Sequence, residues 1–420
     1  MNADRRMACT VVWLVVGALM VTLAIPARAE GFRNPPDGAA ALGRGGGKIA
    51  LTDDATSISH NPAALTGISE PLVEAAVTVI RAETEFDSPL GPTEETEDPW
   101  KILPNLYAVW PLAEQDVVAG IGVTTPFGQS TEWDDDGIFR YSAPYYAELR
   151  VINVNPTLAF HLNDQLSLGL GADVYLTDLN LEQVYPWSAA TGVAGVPDGK
   201  ADFCADGEGF GINAALLWKP CARHSLAFTY RSAVSVELEG DLELSGIPPG
   251  FPAASRSDFE TEIDFPATLG LGYGFQASDK LRLGADVEWI GFSDYGELPL
   301  DAGANTPFLP ARVIPQDWED SWTFGVGGDY QLSDEWVLRA GYIFIESPIP
   351  DDTLSPTLPD ADRHVVSAGV GYRRGAHGVD AAYALSLFED RDIEGNINPA
   401  YDGEYCISSH LMSVSYVYTF

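Results

Sequence analysis

The chain ends in Met412-Ser413-Val414-Ser415-Tyr416-Val417-Tyr418-Thr419-Phe420, and this stretch decides the fold class. Met412, Val414, Tyr416, Tyr418 and Phe420 share one face; Ser413, Ser415, Val417 and Thr419 share the other. A period of two is the pattern of a β-strand with one apolar face. It recurs upstream. Phe210, Ile212, Ala214, Leu216 and Trp218 alternate with Gly211, Asn213, Ala215, Leu217 and Lys219. Leu281, Leu283, Ala285, Val287 and Trp289 alternate with Arg282, Gly284, Asp286 and Glu288. A soluble β-sandwich packs large apolar side chains inward. Here the weaker face carries Gly, Ser, Asn, Asp and Arg, while the apolar face ends in aromatics. That is the pattern of a lipid-facing band with aromatic girdles around a polar, water-accessible interior. A soluble all-β protein is the competing class.

Working outward, short turns join pairs of alternating runs at Ala113–Asp116, Asn163-Asp164, Cys221–His224, Ala277–Lys280, Ser333–Glu335 and Gly375–Gly378. Between them lie longer stretches rich in Pro, Asp and Glu: Ser88–Pro99, Thr131–Pro144, Pro186–Asp206, Pro248–Asp258, Pro299–Gln316, Ser347–Asp360 and Glu389–Glu404. Six short turns alternating with seven long loops predict fourteen strands, with both chain ends on the periplasmic side.

Ahead of the barrel, Arg5 and Arg6 precede an apolar stretch from Val11 to Ile25 and then Ala27-Arg28-Ala29. This is the layout of an export signal, so residues 1–29 are expected to be removed. Residues 30–70 show no strand alternation and contain Gly38-Ala39-Ala40-Ala41-Leu42-Gly43-Arg44-Gly45-Gly46-Gly47-Lys48. A phosphate loop does not fit, because no strand precedes it and Ile49 follows Lys48 where Ser or Thr is needed. Small residues let backbones approach closely. The expected fold is therefore all-β: a 14-stranded antiparallel transmembrane β-barrel over residues 71–420, with residues 30–70 as an N-terminal hatch, or plug, in the lumen.

The chain has 61 acidic and 23 basic residues among 420, a net charge of -38. A surface this negative repels phosphate backbones, which excludes nucleic acid as a partner. Much of the acidity is expected in the outward loops, in clusters such as Glu94, Glu95, Glu97 and Asp98, or Asp134-Asp135-Asp136. A solvated loop face accounts for these; divalent cations bridging to lipopolysaccharide are the alternative. Cys204, Cys221 and Cys406 remain after signal removal, an odd number. Cys204 and Cys406 fall near strand ends on the loop side and are a candidate pair, whereas Cys221 is expected outside any disulfide. Neither a metal site nor a cofactor is indicated. No G-x-S-x-G is present, which argues against an enzyme.

An ordered series of motifs resembles the FadL outer-membrane transporters. It runs through Glu30-Gly31-Phe32, Ala41-Leu42-Gly43-Arg44-Gly45, Asp53-Asp54-Ala55-Thr56 and Asn61-Pro62-Ala63-Ala64-Leu65. It continues with Pro126-Phe127-Gly128, Asn155-Pro156-Thr157, Tyr230-Arg231-Ser232, Phe265-Pro266-Ala267-Thr268-Leu269, Leu338-Arg339-Ala340-Gly341-Tyr342 and Pro359-Asp360-Ala361-Asp362-Arg363. Ala64 stands where many members have Gly. The resemblance implies a fourteen-stranded barrel closed by a hatch, in the outer membrane of a Gram-negative bacterium. It implies passive uptake of hydrophobic small molecules, long-chain fatty acids foremost, with aromatic or alkane hydrocarbons as the alternative. It also implies lateral exit at a kink in the third strand. By position that strand is Val117–Trp133, and Pro126, Phe127 and Gly128 mark the kink: Pro removes a ladder donor and Gly permits a bulge. Asn61, Pro62 and Ala63 are the hatch element expected to sit against it.

A transported carboxylate needs a cation within the wall. Alternation places Arg231, Arg282, Arg339 and Arg363 on the lumen face, and depth favours Arg231 and Arg363 as head-group contacts. Asp173, Asp286, Glu288, Asp329 and Asp380 face inward too, so an interior salt-bridge network is the stronger expectation. Expected partners are the hydrophobic ligand, outer-membrane lipid and lipopolysaccharide, with the protein acting as a monomer. A non-selective porin, or a structural outer-membrane protein, is the rival of another class; residues 30–70 discriminate, since a porin lacks a plug.

Overall fold

The computed structural model describes residues 31–89, 91–112, 116–302 and 312–420. The export signal over 1–29 lies outside the described residues, as do 113–115 of the first short turn and 303–311 of one long loop.

Period-two alternation becomes fourteen strands. They are β1 Leu72–Asp87, β2 Trp100–Leu112, β3 in two parts (Val117–Thr124 and Gly128–Glu132), β4 Tyr146–Asn163 and β5 Leu166–Tyr185. Next come β6 Gly199–Cys221, β7 in two parts (His224–Arg231 and Val234–Leu244), β8 in two parts (Arg256–Phe265 and Thr268–Gln276) and β9 Leu281–Ile290. The series ends with β10 Ser321–Gln331, β11 Trp336–Ile345, β12 Arg363–Arg374, β13 His377–Phe388 and β14 Gly403–Thr419. Each strand pairs antiparallel with its sequence neighbours. β1 closes the ring on β14 from Leu72↔Thr419 to Asp87↔Glu404. Closure leaves no open edge, as a sheet in lipid requires. The expected faces hold: Met412, Val414 and Tyr416 point outward and exposed, while Ser413 and Ser415 are buried within.

One expectation needs correction. The interior is not polar throughout. Toward the loop end of β7, Val234, Val236, Leu238 and Leu242 point inward and are buried, with Glu237, Glu239 and Glu243 outward. β8 does the same with Phe259 and Ile263 inward and Asp258, Glu260 and Glu262 outward. These strands are far longer than the crossing needs: β5 has 20 residues and β6 has 23, against about 9–11 for a tilted transmembrane strand. Their loop ends therefore stand in water, where the apolar face must turn inward to form a core.

The outward loops carry much of the acidity, and the outward strand faces add to it, where Glu237 faces Glu262, Glu239 faces Glu260 and Asp241 faces Asp258 in register.

Residues 31–70 lie inside the ring. They carry two short helices, α1 Ala39–Arg44 and α2 Ser57–His60, and a 3-10 turn over Pro62–Gly67. The segment reaches well-separated sectors of the wall through glycine. A Cβ on Gly46 would stand 2.2 Å from the Val326 nitrogen in β10, and one on Gly169 in β5 would stand 2.3 Å from the Ala63 nitrogen. A Cβ on Gly272 in β8 would meet Ile49 at 2.7 Å. The glycines on the weaker strand faces are thus places where a second backbone comes against the wall.

Candidate functional site

Two features of the lumen bear on function: a charged network that ties the N-terminal segment to the wall, and a break in the wall beside a cavity.

The network is built around inward carboxylates. Asp329 of β10 accepts Arg44 Nε at 2.9 Å, and lies 2.7 Å from Arg282 Nη2 and 3.3 Å from Arg339 Nε. Arg339 also reaches Asp380 at 2.7 Å. Glu288 pairs with Arg33 at 2.9 Å and Lys48 at 3.0 Å, and Asp53 pairs with Arg282 at 2.5 Å. Alternation predicts the wall members. It does not predict that Arg33, Arg44 and Lys48 of the N-terminal segment supply the balancing charge. Buried ions are tolerable only when paired, so the segment and the wall each neutralise what the other buries.

The break lies in the third strand. β3 pairs with β2 from Leu112↔Val117 to Leu106↔Val123 and there the ladder stops. With β4 it continues on both sides, from Thr124↔Asn153 to Gly128↔Arg150. Three residues, Thr125, Pro126 and Phe127, therefore oppose two, Val151 and Ile152. The extra residue is a bulge, and Pro126 supplies no donor there. Beyond it β3 turns inward, behind β2. Lys101, on the inward face of β2, donates from Nζ to Oγ of Ser130 in β3 at 3.0 Å.

The segment meets this bulge with Phe32–Asn34. Gly128 N donates to Phe32 O at 2.9 Å and Asn34 N to Pro126 O at 3.0 Å. The Asn34 side chain donates to Thr125 O at 2.8 Å. Phe32 packs among Phe127, Phe265, Phe292, Tyr295 and Trp318, with ring centroids 5.3–5.8 Å away. Asn61, Pro62 and Ala63 lie elsewhere, against β5 at Gly169. Asn61 caps the 3-10 turn by accepting from Ala63 N at 3.1 Å, and its amide donates to Ile49 O at 2.7 Å. The expectation that this motif sits against the kink is corrected: a close backbone approach needs a facing glycine, and Gly169 provides it in β5.

Beside the break is a cavity of about 610 Å³. Leu42, Ile80, Leu103, Phe127, Leu149, Ile343, Phe388 and Leu411 give it much apolar lining, while Arg363 and Lys101 add cations and Glu97, Asp98, Glu148 and Asp360 add carboxylates. Ile102, Arg150 and Ile152 line it too, although they stand on the outer face of their strands. At the break the cavity is thus lined by residues of both faces of the wall. Its size suits a drug-sized or fatty ligand.

Of the two predicted cations, Arg363 lines this cavity, its guanidinium 5.3 Å from the centre of the Phe388 ring. Arg231 does not. It pairs with Asp173, which also accepts from Asn153, Asn155 and Asn213, and it reaches Ser59 O at 3.4 Å. Sequence reasoning missed Lys101, because only the inward turn of β3 brings an inward side chain of one strand against an outward one of the next.

The remaining candidates are less central. Cys204 and Cys406 are both exposed and form no disulfide. They lie in β6 and β14, far apart around the ring, which corrects the candidate pair. The acidic loops are partly neutralised by Arg140 on Asp136 and Asp198, and by Lys200 on Asp135. Among the described residues no group of His, Cys, Asp or Glu is arranged to hold a metal ion.

A closed fourteen-strand barrel with an apolar outer band, its own N-terminal segment within the ring and a largely apolar cavity has the build of an outer-membrane transport barrel. The chain belongs to the family of outer membrane transport proteins described as OMPP1/FadL/TodX, which it matches over residues 20–420. It is 26% identical over 395 residues to the long-chain fatty acid transport protein of Escherichia coli strain K12, covering 84% of this chain and 87% of that one. Its fold is similar to that of a Pseudomonas aeruginosa FadL homologue, with a TM-score of 0.81 and 24% identity over 93% of this chain and 100% of the other. The P. putida toluene transporter TodX has the same fold, with a TM-score of 0.73 and 20% identity over 94% of this chain and 99% of the other. The protein is thus a transporter of hydrophobic substrates in the outer membrane of a Gram-negative bacterium, and the family is one of transporters.

Proposed function

We propose that the protein takes up long-chain fatty acids passively, receiving them at the loop end, holding them in the cavity beside β3 and releasing them sideways through the break between β2 and β3. The observation that supports this reading is the cavity itself: more apolar than polar, bordered by Arg363, and lined at the break by residues of both faces of the wall. A cation in an apolar lining suits a ligand with one acidic head and a long tail better than it suits a hydrocarbon. Sideways release agrees with the energetics, since each CH₂ kept out of water is worth about 0.8 kcal/mol.

Residues 31–70 act as the hatch, with Phe32–Asn34 as the part that covers the bulge. A filled lumen speaks against a non-selective porin. The protein works as a monomer, because a partner on β2 or β3 would cover the exit; its lipid-facing band contacts membrane lipid and lipopolysaccharide.

Deleting Pro126 tests the exit. The deletion leaves two residues of β3 opposite two of β4 and keeps Phe127 facing inward, so the strand can pair straight and close against β2. Uptake of a labelled long-chain fatty acid by cells lacking their own transporter is expected to fall to background, with the barrel still assembled. Undiminished uptake would rule out lateral release.

A further inference from the structure

The break carries more than an opening. Lys101 on β2 and Arg150 on β4, the latter in register with Gly128 of β3, line the same cavity as Arg363. Lys101 points inward from β2, and its Nζ has Ser130 Oγ at 3.0 Å and the carboxylate of Asp98 only at 3.9 Å. Arg150 points outward from β4, and its guanidinium has Glu148 at 3.7 Å. Both ion pairs are longer than a charge-assisted hydrogen bond, which runs about 2.7–2.9 Å. Both are also open to exchange, since the Asp98 and Arg150 side chains are 64% and 61% exposed. Glu97, Asp98, Glu148 and Asp360 line the same cavity, so each cation stands beside a carboxylate that an arriving head group has to displace.

We infer that the break is a second head-group subsite, at which Lys101 and then Arg150 receive a carboxylate as an amphiphile leaves the cavity. The inference rests on the lateral-exit reading above. Without ligand, Lys101 holds β2 to β3 through Ser130. An arriving carboxylate offers Nζ a charged acceptor in place of a neutral hydroxyl, so the ligand itself loosens the tie that narrows its exit. The tail enters lipid first, and Arg150 on the outer lip keeps the head paired until the whole molecule has passed. A neutral molecule of the same length gains nothing from either cation. The subsite therefore favours release of acidic amphiphiles over neutral ones.

The test compares uptake of a long-chain fatty acid with that of the alcohol of the same chain length, in cells lacking their own transporter. Lys101→Met, Arg150→Met and Lys101→Arg are each set beside the unaltered protein, with barrel assembly checked by heat-modifiable gel mobility. Lys101→Met is expected to lower the acid-to-alcohol uptake ratio about tenfold, the size of one charge-assisted contact. Arg150→Met should lower it less, and Lys101→Arg should restore it. Equilibrium binding of the acid in detergent should survive Lys101→Met, because Arg363 remains. An unchanged ratio in Lys101→Met and Arg150→Met, with uptake still blocked by deletion of Pro126, would overturn this inference alone. Uptake that persists without Pro126 would overturn lateral exit and the subsite with it.

Discussion

Gly327 and Gly341 face each other across β10 and β11, and a Cβ on either would stand 1.8 Å from the carbonyl oxygen of Arg44. The backbone of α1 is thus seated on a facing pair of glycines. The obstructed atom is main chain, so no rotamer change relieves the contact. Gly341→Ala should leave the β-ladder intact but push residues 39–47 off the wall, at a cost of about 1–3 kcal/mol typical of overpacking. Planar-bilayer recordings should show a larger or noisier conductance. Gly296→Ala, where an added Cβ meets nothing within 4 Å, serves as the control. Equal conductance in both variants would argue that the segment does not seal the lumen.

Asp329 gathers Arg44 from the N-terminal segment and Arg282 and Arg339 from the wall, and its side chain is 3% exposed. Asp329→Asn removes the negative charge those cations share, although Arg282 keeps Asp53 and Arg339 keeps Asp380. Removing one partner of a buried pair typically costs about 3–5 kcal/mol. The variant should lose its compact gel mobility at a lower temperature than the unaltered protein. Arg44→Met on the same background should recover part of that loss, because one of the stranded cations goes with it. A double variant no more stable than Asp329→Asn would show that Arg44 and Asp329 do not act together.

Alternation alone gives the strand number, the outward faces and the inward position of Asp173, Asp286, Glu288, Asp329 and Asp380. These follow from a local rule, that side chains two apart share a face. The kink is implied by the family resemblance, and Pro126 and Gly128 supply a physical reason for it by changing what the backbone can do. What escapes the sequence depends on pairings across the lumen. Nothing local announces that Phe32, not Asn61, meets the bulge, or that Lys101 reaches an outward side chain of the next strand. The reversal of polarity in β7 and β8 escapes because alternation looks the same whichever face is wet; only strand height above the membrane decides it. The pairing suggested for Cys204 and Cys406 fails because depth in the wall says nothing of position around it.

The outward acidic rows are a liability at low salt. Glu239 faces Glu260 on one side and Asp206 on the other. Like charges directly opposite destabilise a sheet, and they are screened as the Debye length falls from about 30 Å at 0.01 M to 8 Å at 0.15 M. The purified protein should unfold at a higher temperature as salt rises over that range. Glu239→Gln should be more stable than the unaltered protein by about 0.2–1 kcal/mol at low salt, and the difference should shrink in 0.15 M. A difference that does not depend on salt would place its origin in packing.

The connection between β11 and β12 carries a pH-dependent element outside the membrane. The Asp362 carboxyl is pushed up from 3.8 to about 8, first by burial and then by the neighbouring charges of Glu389, Asp360 and Glu346, with Arg391 opposing. Its Oδ1 accepts from Ser347 N at 3.0 Å, while Asp360 nearby accepts from Gly31 N at 3.0 Å. Between pH 4 and pH 8 the folded protein therefore keeps a proton that the unfolded chain has released. The stability this group contributes is full below about pH 4 and is lost as pH rises through about 8. Above that, the charge must be held among three other acids. Asp362→Asn keeps the acceptor for Ser347 and removes the titration. It should raise the unfolding temperature at pH 8.5, change it little at pH 4, and flatten the slope between them. Identical slopes in the two proteins would assign the pH dependence to other groups. A steeper slope in the variant would mean that Asp362 is already charged in the folded state near neutral pH, with Arg391 outweighing its acidic neighbours.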